Sequence, residues 1–111
     1  MKTTLLALSL SLALPGAVYA QVPEQWPAIV EQARGQTVYF NAWGGEPNTN
    51  NYIRWAAEQV EGRYNIDLVH VKLGDTAEAV SRVVAEKQGG NTDEGAVDLI
   101  WINGENFATL K

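Results

Sequence analysis

The stretch TVYFNAWGG, Thr37–Gly45, decides how this chain is organised. Thr37 to Trp43 is rich in β-branched and aromatic residues, which suit a pleated strand surface. Its apolarity is nearly continuous and lacks the alternation of a strand with one wet face. It therefore predicts a strand covered on both faces, as in parallel sheets. Gly44-Gly45-Glu46-Pro47 breaks the run.

On the amino side, Pro23–Arg34 reads as a short helix. Trp26, Ile29, Val30 and Ala33 recur at helical spacing, and Gly35 sits where a helix-ending glycine belongs. On the carboxyl side a helix is expected from Thr49 to Tyr64, with Ile53, Ala57, Val60 and Tyr64 on its apolar stripe. Arg54, Glu58, Glu61 and Arg63 form its wet face, and Gly62 weakens its last turn. Ile66–Leu73 (IDLVHVKL) is a second strand, punctuated by Gly74. Asp75 and Glu78 have the spacing of a capping box for a helix over Thr76–Lys87. That helix is expected to bury Ala77, Val80, Ser81 and Val84, and to carry a Glu78–Arg82 pair one turn apart. A polar loop, Gly89–Gly95, precedes a third strand over Val97–Asn103 (VDLIWIN). Gly104-Glu105-Asn106 then introduces a helix over Phe107–Lys111, which has no end before the last residue.

This alternation is an α/β pattern with a mainly parallel sheet, right-handed crossovers and helices on both faces. Ligands of such sheets gather at the carboxyl ends of the strands. The loops expected there are Trp43–Pro47, Lys72–Thr76 and Asn103–Asn106.

Composition narrows the function. The chain has 111 residues with 8 Lys+Arg, 13 Asp+Glu and no Cys. Without Cys there is no disulfide framework, thiolate zinc site, iron–sulfur cluster or thiol catalysis. The acidic balance argues against nucleic-acid partners, which need clustered Lys and Arg. A hydrophobic fraction of 46% argues for a packed domain over a disordered chain.

Residues 1–20 read as a secretory signal peptide. Lys2 supplies the basic start, Leu5–Leu14 the apolar stretch, and Val18 and Ala20 the small residues before cleavage. About ten apolar residues are too few for a membrane span, which needs ~20. With no Cys after them, a lipoprotein is not expected. The mature chain, residues 21–111, keeps 7 basic against 13 acidic residues, a net charge of −6. The expected product is a soluble exported protein, with no membrane insertion of the mature chain.

Three segments carry a resemblance: FNAWGG (Phe40–Gly45), DTAEAVSRVVAEK (Asp75–Lys87) and DLIWINGENF (Asp98–Phe107). Together they resemble the amino-terminal lobe of a bacterial ABC-importer solute-binding protein of the type II group, nearest an incompletely characterised subfamily. More distant relatives in that group include binding proteins for polyamines, iron, thiamine and sulfate. The resemblance implies two α/β lobes joined by a hinge, with a small solute held between them. It implies a periplasmic location, delivery to a membrane permease driven by an ATPase, no chemistry on the solute, no cofactor, and a monomer when full length. Two such lobes need several hundred residues, so residues 21–111 are expected to supply only the opening of the first lobe. The resemblance places ligand contacts at Trp43, Gly44, Gly45, Asp75, Thr76, Asn103, Gly104, Glu105 and Asn106.

Each of these residues also has a purely structural reading. Trp43 suits a ring, a sugar or a cation, and equally suits packing. Gly44-Gly45 allows close backbone approach or simply makes a turn; no Lys-Ser/Thr follows, so it is not a phosphate loop. Asp75 and Thr76 suit a helix cap, whose free N–H groups also suit an anion. Glu105 would balance a cationic solute or complement a helix dipole. His70, the single histidine, reads as a packed or edge residue and not as a metal ligand. Asp93 and Glu94 read as solvated loop residues. No nucleophile–base set or carboxylate pair for acid–base work is evident. Two rival readings remain: a small exported α/β enzyme, and a self-contained interaction module over residues 21–111.

Overall fold

The structure is a computed structural model and describes residues 25–111. The export address at residues 1–20 and the expected helix start at Pro23 lie outside them. The elements run in the order α1 (Trp26–Ala33), β1 (Thr37–Trp43), α2 (Pro47–Tyr64), β2 (Asp67–Leu73), α3 (Thr76–Gln88), β3 (Leu99–Ile100) and α4 (Gly104–Leu110). The three strands form one parallel sheet in the order β2-β1-β3. The fold class is therefore α/β.

The sheet order fixes where the helices lie. From β1 the chain steps one way to β2 through α2. It then steps back over β1 to β3 through α3. Right-handed crossovers in opposite directions place the two helices on opposite faces. In register, Val38, Phe40 and Ala42 pair with Leu68, His70 and Lys72. Ile53, Ala57, Leu68 and His70 border one hollow, so α2 covers this face. Residues Asn41, Val71 and Leu73 belong to the other face, the α3 side.

Local chemistry sets the element ends. β1 spans the residues its composition predicts. α1 stops before Gly35, whose φ of 78° is easily adopted without a Cβ. α2 begins two residues earlier than expected, because Glu46-Pro47 starts the helix. Pro at the first position has no N–H to waste, and the Glu46 carboxylate accepts the Asn48 and Thr49 N–H groups at 2.9 and 2.6 Å. Gly62 does not shorten α2, which runs to Tyr64 and closes on Asn65 in the left-handed region at φ 54°. The Asp75–Glu78 capping box forms as the spacing predicts.

Four expectations need correcting. First, β1 is not covered along its whole length: only Asn41 and Ala42 are buried, while Tyr39 is 43% and Trp43 50% exposed. A three-stranded sheet gives its helices only this second half to cover. Second, only Leu99 and Ile100 of the expected strand Val97–Asn103 join the ladder. Asp98 instead grips β1 with its side chain, Oδ2 accepting the Tyr39 N–H at 2.8 Å. The Asp98 N–H donates back to the Tyr39 carbonyl at 3.2 Å, and the chain turns into α4 from Asn103. Third, α3 buries Ala79 and Val80, with Thr76, Val83 and Val84 half-buried, while Ala77 and Ser81 are exposed. The i, i+3, i+4, i+7 stripe is thus turned by about one residue, since α3 packs on α4 as well as on the sheet. Fourth, Glu78 does not pair with Arg82. Its carboxylate accepts the Asp75 N–H at 3.0 Å, and the ion pair seen among the described residues is Arg34–Glu31 at 2.9 Å.

The core is small: Ala42, Ile53, Leu73, Ala79 and Val80 are its buried apolar residues. Asn41 is fully buried beside them. Its amide nitrogen donates to the Tyr39 carbonyl at 3.3 Å, while Oδ1 has no partner among the described residues. An unsatisfied buried acceptor costs about 1–3 kcal/mol. His70 is a packed residue of the edge strand β2, its ring 6.3 Å from that of Phe40. Its Nε2 lies 3.1 Å from the Ala42 carbonyl, which can only accept, so this nitrogen carries the hydrogen.

Candidate functional site

The reversal of strand order at β1 makes the crevice above the carboxyl ends of β1 and β3 a topological switch point, where open α/β sheets bind ligands. A cavity of about 430 Å³ lies there. Trp43 and Trp101 border it from the ends of β1 and β3; Gly74, Asp75 and Thr76 border it from the start of α3; Ile102 and Asn103 complete it. A smaller hollow of about 230 Å³ adjoins it, sharing Trp43, Thr76 and Trp101 and reaching Thr49 of α2. A hollow of about 470 Å³ between α3 and α4 lies at the other end of α3, around Val84 and Leu110.

Four of the nine expected residues meet at the switch-point cavity: Trp43, Asp75, Thr76 and Asn103. Gly44, Gly45, Gly104, Glu105 and Asn106 flank it in sequence without bordering it. The two flanking glycines have specific steric roles. A Cβ on Gly44 would lie 2.6 Å from Lys72 Cβ, and one on Gly45 would lie 2.3 Å from the Trp43 indole. Gly44 also spends its backbone internally, its N–H on the Leu73 carbonyl at 2.9 Å and its carbonyl on the Asn50 amide at 2.9 Å. Glu105 is exposed in the first turn of α4, where its charge suits the helix dipole. Asn106 donates to Asn103 Oδ1 from both its backbone and its side chain, at 3.2 and 2.9 Å.

Trp101 is the residue that sequence reasoning missed. The composition of Val97–Asn103 sets it inside a seven-residue strand, where an apolar side chain needs no further explanation. With β3 ending at Ile100, Trp101 stands at the rim and is 61% exposed. Its N–H still donates to the Asn41 carbonyl at 2.9 Å. Its own carbonyl accepts the Thr76 hydroxyl at 3.4 Å, so β3 is tied to the first turn of α3 across the cavity floor. The signal that would have found it is the adjoining Asn103-Gly104, a cap that limits the strand.

The electrostatics of the rim are set by helix starts. Glu46 caps α2, Asp75 caps α3 and Asn103 caps α4. The Asn48 N–H, then the Thr49 N–H and hydroxyl, hold the Glu46 carboxyl below the usual carboxylate range. Among the residues bordering the main cavity, Asp75 is the one that carries a formal charge. Arg54, His70 and Lys72 border a separate hollow on the α2 face. Among the described residues no group of three or more His, Asp or Glu lies together as a metal-binding set, and no helix is long and apolar enough to cross a membrane.

The chain is 48% identical over 86 residues to Protein YnjB of Escherichia coli (strain K12), an alignment covering 78% of this chain and 22% of that protein. The chain thus spans less than a quarter of the length of this curated relative. No family model and no solved structure matches the chain.

Proposed function

We propose that this chain forms the opening of the first lobe of a solute-binding protein that serves an ABC importer. The observation that carries the reading is the convergence of Trp43, Asp75, Thr76 and Asn103, from three different loops, on one cavity at the sheet's switch point. Two further features support it. The expected signal peptide at residues 1–20 would send the protein to the periplasm. The chain's 22% share of its relative's length suits part of one lobe of a longer protein.

In this reading residues 21–111 supply one wall of a cleft whose other wall comes from a second lobe. A small solute enters, the lobes close about a hinge, and the closed monomer docks on the permease and ATPase subunits. In this reading the solute is bound and released without chemical change.

A thermal-shift screen of the complete polypeptide tests this. A bound solute stabilises the folded state by RT ln(1 + [L]/Kd), about 2.7 kcal/mol at a hundredfold excess over Kd. At least one of the sugars, polyamines, ring cations and oxyanions is expected to raise Tm, and Trp43→Ala to abolish that rise while leaving the unliganded Tm nearly unchanged. No response to any of these classes, or release of a chemically altered solute, overturns the reading.

A further inference from the structure

We infer that the solute of this cleft is an organic cation; this rests on the solute-binding reading above and adds the charge class to it. The argument begins with what the rim withholds from an anion. An anion at a helix start needs free N–H donors, and at α2 and α3 the capping carboxylates already take most of them. In α2, Pro47 has no N–H, and the Asn48 and Thr49 N–H groups are both bound to Glu46. The Thr49 hydroxyl is on the same carboxylate at 2.9 Å. In α3, the Ala77 N–H is bound to Asp75 Oδ1 at 2.7 Å, and the Glu78 N–H closes the capping box. The Thr76 hydroxyl is spent on the Trp101 carbonyl.

The charge distribution has the same sign preference. Among the described residues no Lys, Arg or His borders the cavity, and Asp75 is the acidic residue that does. The basic side chains of Arg54 and Lys72 border the separate hollow on the α2 face instead. An anion entering the cleft would meet a like charge and no counter-charge.

The rim also offers what a cation needs. Trp43 and Trp101 border the same cavity and are 50% and 61% exposed, so their indoles are available to a ligand. Indole is the best of the aromatic faces for a cation, and the attraction grows as the site loses water. Quaternary ammonium and N-alkylated ring cations are held in this way because their charge is spread over apolar atoms, which makes them easier to strip of water than a primary ammonium. A carboxylate at one side and two indoles at the others form such a setting.

Three probes sharing one ring separate charge from shape: 1-methylnicotinamide, nicotinamide and nicotinate, carrying positive, zero and negative charge. In calorimetric titration of the complete polypeptide, the cation is expected to bind at least about tenfold more tightly than nicotinamide, with nicotinate weakest. Asp75→Asn keeps an oxygen acceptor for the helix cap. It is expected to leave Tm unchanged, to weaken the cation about fivefold and to leave nicotinamide unaffected. Failure of the cation to bind, equal affinity for all three probes, or equal weakening of all three by Asp75→Asn overturns the inference. If the cation fails while a neutral or anionic solute raises Tm in the screen above, the cleft stands and its charge class falls. If nothing of any class binds, the solute-binding reading falls too.

Discussion

Trp43 lies so close over Gly45 that a Cβ built on the glycine would stand 2.3 Å from the indole. The side chain that borders the cavity is therefore positioned by the absence of one two residues later. Gly45→Ala is expected to swing the half-exposed indole off its perch. Because that indole is free to move into solvent, the unfolding free energy should change by less than about 1 kcal/mol, while solute affinity falls. Gly44→Ala should behave in the opposite way. Its methyl would meet Lys72 at Cβ and Cγ, the stem of the side chain, with the Lys72 backbone at 3.3 Å. Adjacent paired strands cannot part cheaply, so a loss of about 1–3 kcal/mol is expected, as for overpacking. Denaturant melts and titrations of the two variants check the contrast.

Asp98 uses its side chain where a longer strand would use its backbone. Its Oδ2 accepts the Tyr39 N–H at 2.8 Å on an exposed edge. Asp98→Ala is expected to cost about 1 kcal/mol, below the range for buried charged hydrogen bonds because water competes here. Amide hydrogen exchange offers a sharper readout: the Tyr39 N–H should lose protection in the variant, whereas the Trp101 N–H, bound to the Asn41 carbonyl, should keep most of its own.

Asp75→Ala removes the acceptor that receives the Ala77 N–H and half of a reciprocal capping box. A loss of about 1 kcal/mol in unfolding free energy is expected, with Asp75→Asn near zero. Chemical denaturation of both variants measures the difference. An equal loss in both would show that the charge itself, acting on the helix dipole, dominates over the hydrogen bonds.

Acid sensitivity should have a traceable contribution from Glu46. Its folded-state pKa lies below the ordinary glutamate value, because the Asn48 and Thr49 N–H groups and the Thr49 hydroxyl favour the carboxylate. Between the folded and unfolded values the unfolded chain binds more protons, so stability rises with pH there. The contribution is complete above the unfolded value and is lost as pH falls through the folded one. Glu46→Gln should lower Tm at neutral pH and flatten its decline on acidification. Melting curves across the acid range check both effects, and parallel curves for the two proteins would remove Glu46 from the account.

Much of this fold was legible because local signals and tertiary packing agree. β1 could be read to the residue, since a β-branched and aromatic run ends on Gly-Gly and β2 pairs along its full length. The α3 cap was legible because both halves of a capping box lie within four residues. Boundaries failed where one residue type serves two purposes. Glu46-Pro47 resembles a breaker and is a helix start. The VDLIWIN run has the composition of a long strand, but its length of pairing depends on a neighbour that sequence does not show. The site was half legible for the same reason. Trp43, Asp75, Thr76 and Asn103 follow from knowing which loops share the carboxyl edge. Trp101 follows only from where β3 stops, and the packing tasks of Gly44 and Gly45 only from which side chains lie over them.

The placement of tryptophan has one more consequence. Of the chain's four tryptophans, Trp43 and Trp101 border the cleft, while Trp26 is on α1 and Trp55 lies on α2 with its ring 5.6 Å from that of Tyr52. Two of this segment's four indoles thus stand where a solute would displace water. Occupancy should move their emission to shorter wavelengths, and Trp26→Phe with Trp55→Phe should remove this segment's unresponsive background without touching the cleft. The wall that would hold the solute is also an optical gauge of whether it is filled.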